Sequence, residues 1–215
     1  MKLPSHVIAL IAATTVALPA ASAQAPEDLA LATELSRGGY VIVMRHAHAP
    51  EMPPSADDAD KANDRRERQL DRVGRASAKA MGDAIHRLHL PVGAVWSSPT
   101  YRAQETARLA GLRPLRIAAA LGDRGHSMQA ADKGQATWLK AHANEKPRPG
   151  TDTVIVTQYP NISAAFGEAA RGMKDGEALV FRPSAGPAPL LVGRIAIEQW
   201  PIMADRVNEG PHHGA

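Results

Sequence analysis

Apolar residues in this chain fall into two patterns. Short unbroken runs occur at Val41–Met44, Val92–Trp96, Thr153–Thr157, Ala178–Phe181 and Leu190–Ile197. Runs of that length, rich in valine and isoleucine and bounded by Gly or Pro, predict buried β-strands. Leu115–Ile117 predicts a further short strand. Between the runs, apolar residues recur every three or four positions. Leu70, Val73, Ser77, Met81, Ala84, Ile85 and Leu88 mark an amphipathic helix over residues 70–89, with Pro91 just beyond it. A second helix is predicted from Ser98 as N-cap and Pro99 in the first turn to Gly111. Lys133–Ala143 reads as a helix, and Asn161 is placed to cap another over residues 162–170. A short opening helix runs from Pro26-Glu27-Asp28 to Gly38. The last helix is short and interrupted by Pro201. The segment 49–68 is a polar loop with three prolines, and residues 119–131 show no clean period. Strands alternating with helices predict an α/β fold, a three-layer α/β/α sandwich around a mostly parallel sheet.

The first residues do not belong to that pattern. Lys2, an apolar run from Val7 to Leu18 and Ala21-Ser22-Ala23 form a targeting segment, with cleavage expected after Ala23 and export to a periplasm or the medium. The apolar run is shorter than the roughly 20 residues a membrane span needs, so no stable membrane insertion is expected after cleavage. Residues 24–208 then form one domain, and 209–215 a disordered tail. The chain has no cysteine, so neither a disulfide nor a thiolate enters its chemistry. Lysine plus arginine number 25 against 22 acids, an excess too small for a nucleic-acid partner. Three tryptophans, three tyrosines and two phenylalanines are too few for base-stacking platforms.

The candidate chemistry lies at strand ends. Val41–Met44 stops in Arg45-His46, Val92–Trp96 in Ser97-Ser98, and Thr153–Thr157 in Gln158. In a parallel sheet these three ends meet at the edge where ligands bind. Arg102 lies one turn into the following helix and leans back toward its N-terminus. Two guanidiniums, an imidazole and a helix N-terminus together suit a phosphate-like anion.

The ordered motifs resemble the histidine phosphatase superfamily, the phosphoglycerate mutase-like proteins, in its exported bacterial branch. Arg45-His46-Ala47 is similar to the family's Arg-His-Gly/Ala signature. Leu70-Asp71-Arg72-Val73-Gly74-Arg75-Ala76 looks like its post-loop helix. Ser97-Ser98-Pro99-Thr100-Tyr101-Arg102-Ala103-Gln104-Glu105-Thr106-Ala107 resembles its second motif and Thr157-Gln158-Tyr159-Pro160-Asn161 its third. The resemblance implies a phosphomonoesterase that works through a phosphohistidine on His46, with Arg45 and Arg102 binding the phosphoryl group and no metal or other cofactor. Its partner would be a small phosphomonoester. The third motif ordinarily carries a second histidine where this chain has Gln158. An amide donates a hydrogen bond but holds no charge and cannot act as an acid. Two readings follow: a slowed or specialised phosphatase, or a periplasmic anion-binding protein without turnover. Asp123 and His126 are candidate proton donors. Ser97, Ser98, Arg65 and Arg66, with Arg68 beside them, are candidate substrate contacts. Glu105 reads as a helix-surface residue. A rival class, a metal-dependent hydrolase, would use His46 and His48 as ligands, but the sequence offers no convincing third.

Overall fold

The computed structural model describes residues 21–122 and 132–209, with side chains from Leu29 onward. Asp123 and His126 lie outside the described residues, as do the apolar leader and the final residues.

Six strands form one sheet: β1 (Val41–Arg45), β2 (Val92–Ser97), β3 (Leu115–Ile117), β4 (Asp152–Thr157), β5 (Ala178–Arg182) and β6 (Leu190–Ile195). Their order across the sheet is β3-β2-β4-β1-β5-β6. The first four are parallel, while β5 and β6 run antiparallel at one side. The helices are α1 (Ala21–Ser36), α2 (Arg72–Arg87), α3 (Tyr101–Leu109), α4 (Lys133–Ala143), α5 (Tyr159–Phe166) and α6 (Gln199–Glu209). Alternate side chains of each strand feed opposite faces of the sheet. Ile42, Met44, Val154, Val156 and Val180 pack with α1, α2, α3 and α6. Val41, Val43, Ile155, Leu179 and Phe181 pack with α4 and α5. This is the three-layer sandwich that the strand–helix alternation predicts.

Several boundaries differ from the sequence expectation. Helix α1 begins at Ala21, ahead of Pro26. Helix α3 begins at Tyr101 rather than at Pro99, because the Ser98 hydroxyl pairs with Thr100 Oγ1 (3.1 Å) and so is not the cap. Helix α5 starts at Tyr159 rather than after Asn161, since Pro160 fits a first helical turn, where no backbone donor is needed. The same rule keeps α6 whole. Pro201 occupies its third residue and does not interrupt it.

One buried acid lies far from the strand ends just described. Asp152 opens β4 fully buried; its Oδ1 accepts from Tyr40 N (2.9 Å) and its Oδ2 has no partner among the described residues. Burial raises its pKa to about 6, against the pull of the Tyr40 and Gly39 amides. The unfolded carboxyl ionises first, so stability is lost as pH rises from the ordinary carboxylate range through that value. Asp152→Asn keeps the Tyr40 bond and does not titrate. It is expected to stabilise the protein by about 1–2 kcal/mol at pH 8 and little at pH 4. Thermal unfolding at the two pH values checks this.

Candidate active site

Parallel pairing of β1 with β4 sets Arg45 opposite Thr157, and pairing of β2 with β4 sets Ser97 opposite Val156. The three strand ends therefore meet as the sequence predicts. His46 follows β1, with its backbone N–H donating to Thr157 O (3.0 Å) and its carbonyl accepting from Gly176 N (2.8 Å). The imidazole is 3% exposed. Its Nδ1 lies 2.8 Å from Ala47 O. A carbonyl can only accept, so the Nδ1 hydrogen sits on that contact and the Nε2 lone pair is available. Arg102 Nε donates to this lone pair at 3.1 Å.

Arg102 is held from behind by its own helix. Thr106 Oγ1 donates to Arg102 O (2.8 Å) and accepts from Ala47 N (3.0 Å). One hydroxyl thus ties the turn after His46 to the helix that carries Arg102. The charge around the imidazole has a direct effect. Burial, then Arg102, then Arg45 and Arg68 lower the His46 pKa to about 3, despite the Ala47 contact. The ring is neutral, and hence nucleophilic, through the whole ordinary pH range.

Arg45 NH2 pairs with Asp175 Oδ1 (2.6 Å), its NH1 donates to Met173 O (3.0 Å), and its guanidinium lies 5.6 Å from the Tyr159 ring centre. Its Nε is buried without a partner among the described residues. Arg68 is fixed by Pro50 O (2.6 Å) and Ala49 O (2.8 Å). Its pKa is lowered by burial and by the Arg102 charge. Three guanidiniums outnumber the Asp175 and Glu51 carboxylates around a neutral imidazole, so the site carries net positive charge suited to an anion.

Gln158 follows β4 and is 2% exposed. Its Oε1 accepts from Thr157 Oγ1 (2.7 Å) and from Asn161 Nδ2 (3.1 Å). Asn161 Nδ2 also donates to Thr157 Oγ1 (2.7 Å), so the threonine proton must point at Gln158. The amide is therefore locked oxygen-end inward, and its Nε2 is buried with no acceptor among the described residues. Leaving such a donor unpaired costs about 1–3 kcal/mol. Buried donors of this kind call for an explanation, and a bound oxyanion would supply one.

Other expected residues lie differently. The Ser97 hydroxyl donates to Ser98 O (2.8 Å) and that of Ser98 meets Thr100, so both shape the strand-to-helix turn instead of facing a ligand. Arg65 and Arg66 are exposed on the loop. Arg65 lines a cavity of about 540 Å³ with Tyr101, Gln104 and Arg108, a lining that includes neither His46 nor Arg102. Of the arginines in that run, Arg68 is the one whose charge reaches His46. Glu105 is not on the surface. It is 2% exposed, accepts from Leu70 N (3.2 Å) and pairs with Arg75 (2.5 Å). The His46–His48 metal pair does not form. His46 Nε2 faces Arg102, whereas His48 Nδ1 meets Asp71 Oδ2 at 3.0 Å. Among the described residues no group of three His, Cys, Asp or Glu could hold a metal ion. Asp175 enters the site without a sequence signal, while Thr106 and Asn161 lie inside the second and third motifs, which give them no role of their own.

The family model of the histidine phosphatase superfamily (branch 1) matches residues 41–177. No curated protein matches. Among solved structures, the chain is similar to the protein histidine phosphatase SixA complexed with tungstate, at 18% identity and a TM-score of 0.54, covering 74% of this chain and 98% of that one. It is also similar to a putative phosphohistidine phosphatase SixA from Agrobacterium tumefaciens (17% identity, TM-score 0.51, covering 74% and 97%). A mutant phosphoserine phosphatase from Entamoeba histolytica in complex with phosphoserine gives 11% identity and a TM-score of 0.50, over 74% and 98%. Likeness at these identities speaks to the fold.

Proposed function

The chain belongs to the histidine phosphatase superfamily, branch 1, and from that premise we propose that it is a phosphomonoesterase whose nucleophile is His46. In this reading His46 Nε2 attacks phosphorus, the bond to the ester oxygen breaks, and water later releases phosphate from the ring. Arg102, Arg45 and Arg68 hold the non-bridging oxygens and offset the charge they carry in the transition state. Entry of the phosphoryl group replaces the Arg102 Nε–His46 Nε2 hydrogen bond by bonds from Arg102 to phosphoryl oxygens. The leader, if cleaved after Ala23, would deliver the domain to a periplasm or the medium.

The observation that carries this reading is the pair of buried donors without acceptors, Arg45 Nε and Gln158 Nε2, on the adjacent strand ends joined by the His46–Thr157 hydrogen bond. An anion held at His46 would give both an acceptor. Gln158 also favours the second reading, an anion-binding protein without turnover, because an amide stabilises charge less than an imidazolium. One experiment separates them. The purified protein is mixed with a ³²P-labelled phosphomonoester and quenched in alkaline denaturant, which preserves phosphohistidine. Label on His46 with steady phosphate release, insensitive to chelator, supports the enzyme. Tight phosphate binding with no label supports the binder.

If the enzyme reading holds, Gln158→Leu should lower kcat about 10²-fold, the usual cost of one preorganised donor to a developing oxyanion. Single-turnover rates would place the loss in phosphoryl transfer.

A further inference from the structure

A second histidine stands two residues beyond His46 in a setting that the scheme above leaves unused. His48 Nδ1 lies 3.0 Å from Asp71 Oδ2. The other Asp71 oxygen accepts from Gly74 N (2.8 Å) as the N-cap of α2. The carboxylate is thus anchored by the helix start and in turn fixes the imidazole. The contact is close by construction, since a Cβ on Gly74 would overlap the His48 carbonyl oxygen. His48 Nε2 points the other way, 4.0 Å from Asp175 Oδ2. The remaining Asp175 oxygen holds Arg45. One carboxylate therefore separates His48 from a phosphoryl-binding guanidinium.

His48, Ser77, Lys174, Asp175 and Glu198 surround a cavity of about 300 Å³, and its Asp175 wall is the carboxylate that pairs with that guanidinium. Its walls mix donors and acceptors with an apolar strip from Val73 and Ile197, a lining that suits a hydroxylated aliphatic group.

We propose that this cavity receives the alcohol side of the ester and that His48 is its proton donor. This rests on the phosphomonoesterase reading. As the His46–phosphorus bond forms, the phosphorus–ester oxygen bond breaks and its electron pair passes to the oxygen. The His48 Nε2 proton moves to that oxygen and the alcohol leaves. His48 is left neutral, with its Nδ1 hydrogen still on Asp71. In the second step water attacks phosphorus, His48 Nε2 takes the water proton, and the electron pair of the nitrogen–phosphorus bond returns to His46. Asp71 and Asp175 meet the ring at its two nitrogens, and Lys174 lines the same cavity.

An acid matters when the leaving oxygen is a poor leaving group and is dispensable when it is a good one. His48→Gln is therefore compared with the native chain on glycerol phosphate and on p-nitrophenyl phosphate. The imidazole is half exposed, so the variant should fold. The kcat/KM of the alkyl ester, which reports the steps up to alcohol release, is expected to fall roughly 10²–10⁴-fold, and that of the aryl ester less than about threefold. Asp71→Asn retains the α2 cap and should show the same selective loss at smaller size. Equal loss on both esters, or no loss on either, overturns the role of His48 while leaving the phosphatase reading intact. A native chain that hydrolyses neither ester overturns both.

Discussion

Alanine at position 46 should leave a folded protein that binds phosphate yet releases none from any monoester and takes up no label. The expected fall in turnover is on the order of 10⁴-fold or more, as for removal of a covalent nucleophile elsewhere. The size follows from what His46 alone supplies. Its Nδ1 hydrogen is fixed by Ala47 O, its ring is kept neutral by burial and three nearby cations, and its Nε2 lies on the Arg102 guanidinium that would orient the phosphoryl group. No other described histidine shares that placement: His48 faces Asp71 and Asp175. Stability should change in a pH-dependent way. The His46 pKa is lowered on folding, so its contribution is complete above the ordinary histidine value and is lost as pH falls toward about 3. The alanine variant lacks that dependence and should unfold less steeply with acid between those limits. Equilibrium unfolding across pH, run beside the labelling assay, tests both halves. Undiminished turnover in the variant would remove His46 from the chemistry.

The second large effect is expected at Arg102. Arg102→Ala should reduce kcat/KM by about 10³-fold or more, because under the proposed mechanism its buried guanidinium binds both ground-state and transition-state oxygens. Arg102→Lys should recover little, since an ammonium cannot reproduce the planar fork. A second signature separates this from a simple packing defect. After burial, Arg102 is the largest influence lowering the His46 pKa. Without it the value should climb part of the way toward the ordinary histidine range, burial remaining in place. The residual activity of Arg102→Ala should then fall away at mildly acidic pH, where native turnover shows no such limb from His46. The acid limb of kcat/KM, or the His46 ring resonance followed by NMR, reads this. An unchanged His46 titration would show that the two side chains do not share a field.

These outcomes depend on features that were unevenly legible in the sequence. The strand runs carried their own signal, and parallel pairing then had to gather Arg45-His46, Ser97-Ser98 and Thr157-Gln158 at one edge. Local rules failed where a distant residue intervened. The start of α3 is a case in point. The Tyr101 amide is met by Glu67 Oε2 (2.8 Å), 34 residues upstream, and no capping motif near Ser98 could reveal it. Among Arg65, Arg66 and Arg68, composition gave no means of telling which turns inward. The carbonyls of Ala49 and Pro50 decide it. Asp175 pairs with Arg45 across the fold and sits in a turn with no period to betray it. Gln158 was legible as a departure from the family motif, but its fixed orientation depends on Thr157 and Asn161 together.

The segment between β1 and α2 is the part of this molecule that an engineer would first try to exchange for another specificity. Its anchors argue against a wholesale swap. Asp60 meets Arg75 and Tyr101 (3.0 Å to the phenol), Asn63 braces Glu67 (2.8 Å), Glu67 caps α3, and Arg68 reaches back to its own first turn. Cutting out the whole span would therefore slacken the helix that presents Arg102, and catalytic power would go with selectivity. Diversification belongs at the outward positions, Met52, Arg65 and Arg66, with the four anchor posts carried over unchanged.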